Sequence, residues 1–363
     1  MEEQLRQSPL VDSHVELGAR LVPFAGWNMP VQYEGIIPEN KAVRSNLGVF
    51  DISHMGQIVV ASSAPGVAAT WLDGLLTNNV DSLNIGCGQY TFLLNERGGV
   101  IDDLIIYRAA HSEYFLVVNA SKTSEDFDWL TSHLPDDGGI MLADRSSQFA
   151  GMAVQGPATE KAFGVLFGSE ADLPERFCMS MHDTDNGEVV VCRTGYTGED
   201  GFELFCSTES GNVWWQKCLD AGATPCGLGA RDSLRLEKCY PLNGSDLNSE
   251  QTPLEAGMAF AVDLHKSDFM GREVLVAQKA KGLDQRLVAI KQTGKSPPPR
   301  AGYLVYVGDE EVGKLTSGGV SPALQCGISL GYLKAGFNKR GTAVDVEIRG
   351  KRYPAEIVVK PFV

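Results

Sequence analysis

The sharpest pattern in the chain lies at residues 98–107, Gly98-Gly99-Val100-Ile101-Asp102-Asp103-Leu104-Ile105-Ile106-Tyr107. A Gly-Gly turn runs into an apolar segment of strand composition. Alternation across a strand puts Val100, Asp102, Leu104 and Ile106 on one face and Ile101, Asp103, Ile105 and Tyr107 on the other. Both faces are otherwise apolar, so the segment predicts a strand buried on both sides with two carboxylates inside it. A carboxylate there costs several kcal/mol, roughly, unless it is hydrogen-bonded or paired. One Asp can be explained as a cap for the amides of the Asn95-Glu96-Arg97-Gly98-Gly99 turn. Explaining both that way is harder, which makes one of them a candidate functional residue.

The surrounding pattern is regular. Glu39–Leu47 is a short helix candidate, and Phe50-Asp51-Ile52-Ser53-His54-Met55-Gly56 leads into a strand at 57–61. A helix follows Pro65, with Val67, Trp71, Leu72, Leu75 and Leu76 on one side. Strands at 90–94, 100–108 and 114–119, separated by tight turns, predict an antiparallel meander. A second helix begins near Thr123, read as its N-cap with Asp126 three residues on. With a further strand at 148–154, the order resembles a split β-α-β unit. Helices are expected to Phe167, at 212–221, 230–237 and 271–281, and strands at 188–193 and 202–206. Residues 8–50 otherwise show only two dense clusters, Leu17–Arg20 and Phe24–Pro30. The tail carries six closely spaced strands between 287 and 359, which predict a small separate β-barrel or sandwich.

A length of 363 residues allows two or three domains, and 40 glycines with 17 prolines favour turn-rich β architecture. The formal charge of −15, without a basic run, argues against nucleic acid. The eight cysteines include no CxxC pair and the six histidines no HxH, so a structural metal is not expected. Free thiols, no apolar signal core after Met1-Glu2-Glu3 and no membrane-length apolar run lead to an expectation of a cytoplasmic protein with no membrane association.

Thr194-Gly195-Tyr196-Thr197-Gly198-Glu199-Asp200-Gly201-Phe202-Glu203-Leu204 is the second informative stretch. Its glycines bring the backbone close to something. Tyr196 can stack on a flat ring, and Glu203 can accept two parallel N–H donors. An acidic hairpin loop is the plainer reading. Cys226-Gly227-Leu228-Gly229-Ala230-Arg231-Asp232 lacks the third glycine and the βαβ setting of a dinucleotide loop. Arg231 is either an anchor for an acidic group such as Glu203 or a plain surface arginine. Gly327-Ile328-Ser329-Leu330-Gly331 has the spacing of a hydrolase elbow but lies in a strand with no helix after it. His54 is read as structural.

Taken in order, several segments together resemble the glycine-cleavage T-protein, the aminomethyltransferase family. They include His14–Arg20, Phe24–Trp27, Phe50–Met55, Gly98–Tyr107, Val117–Ala120, Val154–Pro157, Thr194–Leu204, Gly227–Glu237, Asp268–Arg272, Thr316–Gly318 and Lys360–Phe362. The resemblance implies an α+β, three-domain cloverleaf around a central folate tunnel, with a C-terminal small β-barrel. The implied domains are 1–53 with 141–245, 54–140 with 246–280, and 284–363. The implied reaction takes an aminomethyl group from the dihydrolipoyl arm of H-protein and gives ammonia, 5,10-methylenetetrahydrofolate and reduced carrier. Tetrahydrofolate is then the cosubstrate, H-protein supplies the lipoyl group, and no metal is needed.

The match assigns catalysis to Asp103, whose charge would stabilise the transferred carbon as it becomes cationic on leaving sulfur. It assigns the pterin grip to Glu203, a folate-site arginine to Arg231, and further lining to Tyr90, Met55, Asn119, Tyr196 and Tyr240. Asp102 is read as structural. Lys238, Asn243 and Pro23 depart from the family's usual residues, and the family usually continues beyond Val363. Two relatives of the same fold compete: a folate-dependent demethylase of N-methyl or sulfonium substrates, and a non-enzymatic folate-binding protein of iron–sulfur assembly with a Lys-Gly-Cys-Tyr-type loop. Lys238-Cys239-Tyr240 hints at that loop but lacks its glycine. The Asp102-Asp103 pair and Thr194–Leu204 favour the aminomethyltransferase.

Overall fold

The computed structural model describes residues 5–363, so the residues behind the expectation of no leader segment lie largely outside it. The chain divides into two compact units. One holds the residues through Gly74, Asn78–Thr91 and Asp103–Arg231, and the other holds Leu75–Thr77, Phe92–Asp102 and Asp232–Val363. The backbone changes unit between the two adjacent aspartates.

In the first unit a six-stranded sheet runs Met179–Thr184, Gly187–Cys192, Gly201–Ser207, Phe149–Gln155, Gly48–Asp51, Thr224–Cys226 in spatial order. Neighbours are antiparallel except the last pair, which is parallel. Apolar residues at alternate positions, among them Met152, Val154, Val189, Val191 and Leu204, enter one core with Trp214 and Trp215 of the helix Gly211–Asp220. Glu203 stands inside this sheet, opposite Ala153 on one side and Cys192 on the other.

A five-stranded sheet has the order Gly88–Leu94, Val100–Ala110, Glu113–Val118, Gly56–Ser62, Ile140–Asp144, so the first three strands form the expected meander. Two expectations fail here. The closing strand is Ile140–Asp144, whereas Phe149–Gln155 belongs to the six-stranded sheet. Ile140–Asp144 is an edge strand with only its first residue buried, so it lacks a clear apolar alternation. The helix Thr123–Ser132 has Lys122 as N-cap without a side-chain cap, and the Thr123 hydroxyl donates back to the Asn119 carbonyl at 3.3 Å. A three-stranded sheet, Arg6–Gln7, Trp27–Gln32 and Arg20–Phe24, has no clear strand signal in the sequence because Pro23 and Pro30 interrupt its strands.

The second unit contains the expected barrel. Its six strands close in the order Gln285–Gln292, Cys326–Lys334, Glu310–Ser321, Leu304–Val307, Ala343–Ile348, Lys351–Val358. Val288, Ile290, Val305, Leu315, Leu333, Val344 and Val346 fill it. Ser329 is fully buried in a barrel strand and its hydroxyl donates to the Ile290 carbonyl at 3.3 Å, so it is no hydrolase nucleophile. The turn before the aspartates is capped by Asn95, whose Oδ1 accepts from Arg97 N at 2.9 Å and Gly99 N at 3.0 Å. Gly99 must be glycine, since a Cβ there would lie 1.9 Å from the Ser249 carbonyl oxygen.

Candidate active site

Asp103 occupies the middle strand of the meander, and its two neighbouring strands supply its partners. The Tyr90 hydroxyl, from Gly88–Leu94, donates to Asp103 Oδ2 at 2.6 Å. Asn119, the residue after Glu113–Val118, donates through Nδ2 to Asp103 Oδ1 at 3.0 Å and to the Asp103 carbonyl at 2.9 Å. Both carboxylate oxygens are thus held, which fixes the rotamer and keeps the charge in one place. Asp103 remains half-buried whereas Asp102 is completely buried, the split that strand alternation requires. The sequence match placed Tyr90 and Asn119 only as folate lining; the structure joins both directly to Asp103.

Tyr107 stands on the same strand face as Asp103, four residues on and therefore roughly 13 Å along the strand. Its hydroxyl lies 2.8 Å from Thr194 Oγ1, and the Thr194 hydroxyl donates to Glu203 Oε2 at 2.7 Å. Because Thr194 spends its proton on Glu203, Tyr107 is the donor to Thr194. Glu203 is 7% exposed. Burial pushes its carboxyl above the usual carboxylate range, while the Thr194 hydrogen bond and the Arg231 charge pull the other way. Arg231, in the helix Leu228–Glu237, lies 4.9 Å over the Tyr196 ring. Burial lowers its pKa and the nearby Glu203 carboxylate opposes that. One strand face therefore presents a fixed carboxylate at one point and, further along, supports a second carboxylate beside a cation and an aromatic ring.

The glycines of the 194–204 stretch make room for Gln155. A Cβ at Gly195 would sit 1.9 Å from Gln155 Oε1, and one at Gly201 would sit 2.2 Å from Gln155 Nε2. Gln155 Nε2 donates to the Thr194 carbonyl at 3.0 Å and Oε1 accepts from Thr197 Oγ1 at 2.8 Å. Arg44 holds the same loop from outside, donating to the Thr197 carbonyl at 2.7 Å and to Glu199 Oε1 at 2.8 Å. Tyr107, Thr194, Gln155 and Arg44 were not singled out as site residues. Tyr107 carried a signal, its shared face with Asp103; for Gln155 the only signal was a polar residue ending an apolar strand.

Met55 is half-buried in the turn before Gly56–Ser62, next to His54. Tyr240 belongs to the second unit, is 37% exposed, and its N–H donates to the Arg235 carbonyl at 2.9 Å. Cys239 beside it is buried, with its thiol pushed up to about 12 mainly by that burial. Among the described residues no cluster of His, Cys, Asp or Glu could hold a metal ion, and no helix is long and apolar enough to cross a membrane.

His54 is 3% exposed, packs edge-on against Phe24, and has its pKa pushed down to about 4, chiefly by burial. It is thus neutral in the folded protein between about pH 4 and 6.5, where the unfolded chain takes up a proton. Stability should fall as pH drops through that window, by about 3 kcal/mol from this residue. Denaturant melts from pH 7 to 4 check this: the slope should flatten in His54→Gln, and an unchanged slope would assign acid sensitivity elsewhere.

With this geometry in place, comparison with known proteins gives a consistent result. A family model described as the GCVT N-terminal domain matches residues 10–266, and one described as the glycine cleavage T-protein C-terminal barrel domain matches residues 285–363. The chain is 44% identical over 365 residues to the aminomethyltransferase of Geobacillus kaustophilus, covering 99% of this chain and 98% of that one. It is 44% identical over 364 residues to the aminomethyltransferase of Picosynechococcus, with the same coverage. The crystal structure of glycine cleavage system aminomethyltransferase T from Bartonella henselae is similar at a TM-score of 0.92 and 32% identity, covering 99% of this chain and 98% of that chain. A match across both parts of the fold places this chain in the glycine-cleavage T-protein family, the aminomethyltransferases. It is a transferase, and neither the demethylase nor the iron–sulfur assembly reading is needed.

Proposed function

We propose that this chain moves an aminomethyl group from the dihydrolipoyl arm of a partner H-protein to tetrahydrofolate, giving 5,10-methylenetetrahydrofolate, ammonia and the reduced carrier. The observation that carries the reading is the Asp103 carboxylate held at both oxygens by Tyr90 and Asn119. Such a charge needs no reorganisation when positive charge develops on the transferred carbon, which is where preorganised electrostatics lowers a barrier most. Tetrahydrofolate, when bound, supplies the amine that takes up the carbon; the chain's own residues bind, orient and stabilise.

The residues fit a flat ring with adjacent N–H donors. Glu203 is a buried acceptor to which Thr194 donates only at Oε2 among the described contacts, and a pterin edge offers N3–H and a 2-amino group side by side. Arg231 balances the Glu203 charge and lies over the ring of Tyr196, which is proposed as further lining. Met55 is proposed as further lining. A cytoplasmic setting is part of the same reading, supported by eight free thiols.

Glu203→Ala tests the ring grip. Loss of a charge-assisted, two-point contact should weaken tetrahydrofolate binding by roughly 1.5–3 kcal/mol in calorimetry. Unchanged affinity would reduce Glu203 to a structural residue of its strand.

A further inference from the structure

Cys87 and Cys178 are 91 residues apart in sequence, and the fold places their sulfurs 2.7 Å apart. They face each other across an isolated antiparallel bridge. The flanking residues make the backbone bonds: Gly88 N to the Phe177 carbonyl and Met179 N to the Gly86 carbonyl, each 2.6 Å. The cysteines' own backbone groups turn outward. Cys87 N donates to Asn84 and its carbonyl accepts from Arg108 N, while Cys178 N donates to Glu175 and its carbonyl accepts from Arg193 N. This is the non-hydrogen-bonded pair of an antiparallel ladder, in which Cα atoms lie about 4.5 Å apart. That spacing falls within the range of about 4.4–6.8 Å that a disulfide spans. Both residues are half-buried, whereas five of the other six cysteines are buried.

We propose that Cys87 and Cys178 form a reversible redox pair that is oxidised to an intramolecular disulfide by a low-molecular-weight disulfide such as glutathione disulfide. The Cys87 thiolate attacks one sulfur of the oxidant, the oxidant's S–S bond breaks, and one thiolate leaves. Cys178 then loses its proton and attacks the Cys87 sulfur, forming the protein S–S bond and expelling the second small thiol. The two protein thiols lose two electrons and two protons, and the oxidant gains them. The same balance holds with the roles of the two cysteines exchanged.

The bond would fasten two segments beside the Glu203 support. Gly88, next to Cys87, leaves space for the Tyr107 ring, which a Cβ there would meet at 2.4 Å. The Cys178 carbonyl holds Arg193 N at 2.9 Å, one residue before Thr194. Since the backbone already has the register of a disulfide, oxidation should act as a staple and not as a distortion.

The test uses the full chain, reduced, freed of reductant, incubated folded with glutathione disulfide, then denatured and alkylated. Two of the eight thiols should be lost, the mass should fall by about 2 Da, peptide mapping should link Cys87 to Cys178, and dithiothreitol should restore both thiols. The oxidised parent should melt at higher temperature than the reduced parent, and the C87S/C178S variant should show no such difference. Eight alkylatable thiols after oxidation, a stable glutathione adduct on either cysteine, or a crosslink between other cysteines would each overturn the proposal. None of these readouts involves folate, so the result is independent of the role given to Glu203.

Discussion

In a single-turnover assay, Asp103→Asn should transfer the aminomethyl group roughly 10²–10³ times more slowly than the parent, the scale seen when one preorganised electrostatic contact is lost. The amide keeps the size of the side chain and removes its charge. It also presents an N–H to a site where Tyr90 and Asn119 both approach as donors, so one of the two contacts is lost. The Glu203 site is untouched, so the fold and most of the folate affinity should survive. Asp102→Asn is the control: its side chain points to the opposite face, and its rate should stay near the parent's. A slower Asp102→Asn enzyme, or parental rates in both variants, would move the catalytic carboxylate away from Asp103.

Asp246→Ala should lower stability by about 3–5 kcal/mol, the range for breaking a buried ion pair by removing one partner. Asp246 is fully buried. It accepts from Arg235 Nη1 at 2.7 Å, from the Ser317 hydroxyl at 2.7 Å and from Leu242 N at 2.9 Å, and also from the Thr316 hydroxyl. Ser317 and Thr316 belong to a barrel strand and Arg235 to the helix Leu228–Glu237, so one carboxylate joins the barrel to that helix. Arg235 is 3% exposed. Asp232, which also pairs with Arg235, is largely exposed. Denaturant unfolding checks the effect, and a loss below about 1 kcal/mol would show a pair behaving like a surface bridge.

Periodicity carried the parts of this protein whose burial is one-sided or complete. The meander, the barrel strands and the helices around Trp71 and Trp214 all have apolar residues at the spacing their packing uses. The same rule separated Asp102 from Asp103. It failed where structure depends on partners distant in sequence. Ile140–Asp144 is a strand because Gly56–Ser62 lies beside it, and its exposed positions give no pattern of their own. The turn before Asp102 looked as if it needed an aspartate cap, yet Asn95, inside the turn, reaches both amides.

The same limit applies to the site. Glu203 and Arg231 stood out as charges near glycines, and Asp103 as a carboxylate in an apolar strand. Thr194, Tyr107 and Gln155 did not, because a hydroxyl or amide acquires a role only through what it touches. The glycines of that stretch pointed to a close approach without naming the neighbour, which at Gly195 and Gly201 is the Gln155 side chain. Cys87 and Cys178 offered no sequence signal, since nothing in their spacing pairs them.

Ammonia release reports aminomethyl transfer to folate without an intervening step. Aminomethylated H-protein mixed with this chain and tetrahydrofolate should release one ammonia per transferred group, with matching formation of 5,10-methylenetetrahydrofolate, and Asp103→Asn should slow both together. Ammonia release at the same rate without tetrahydrofolate, or none with all components present, would rule out folate-dependent aminomethyl transfer by this chain.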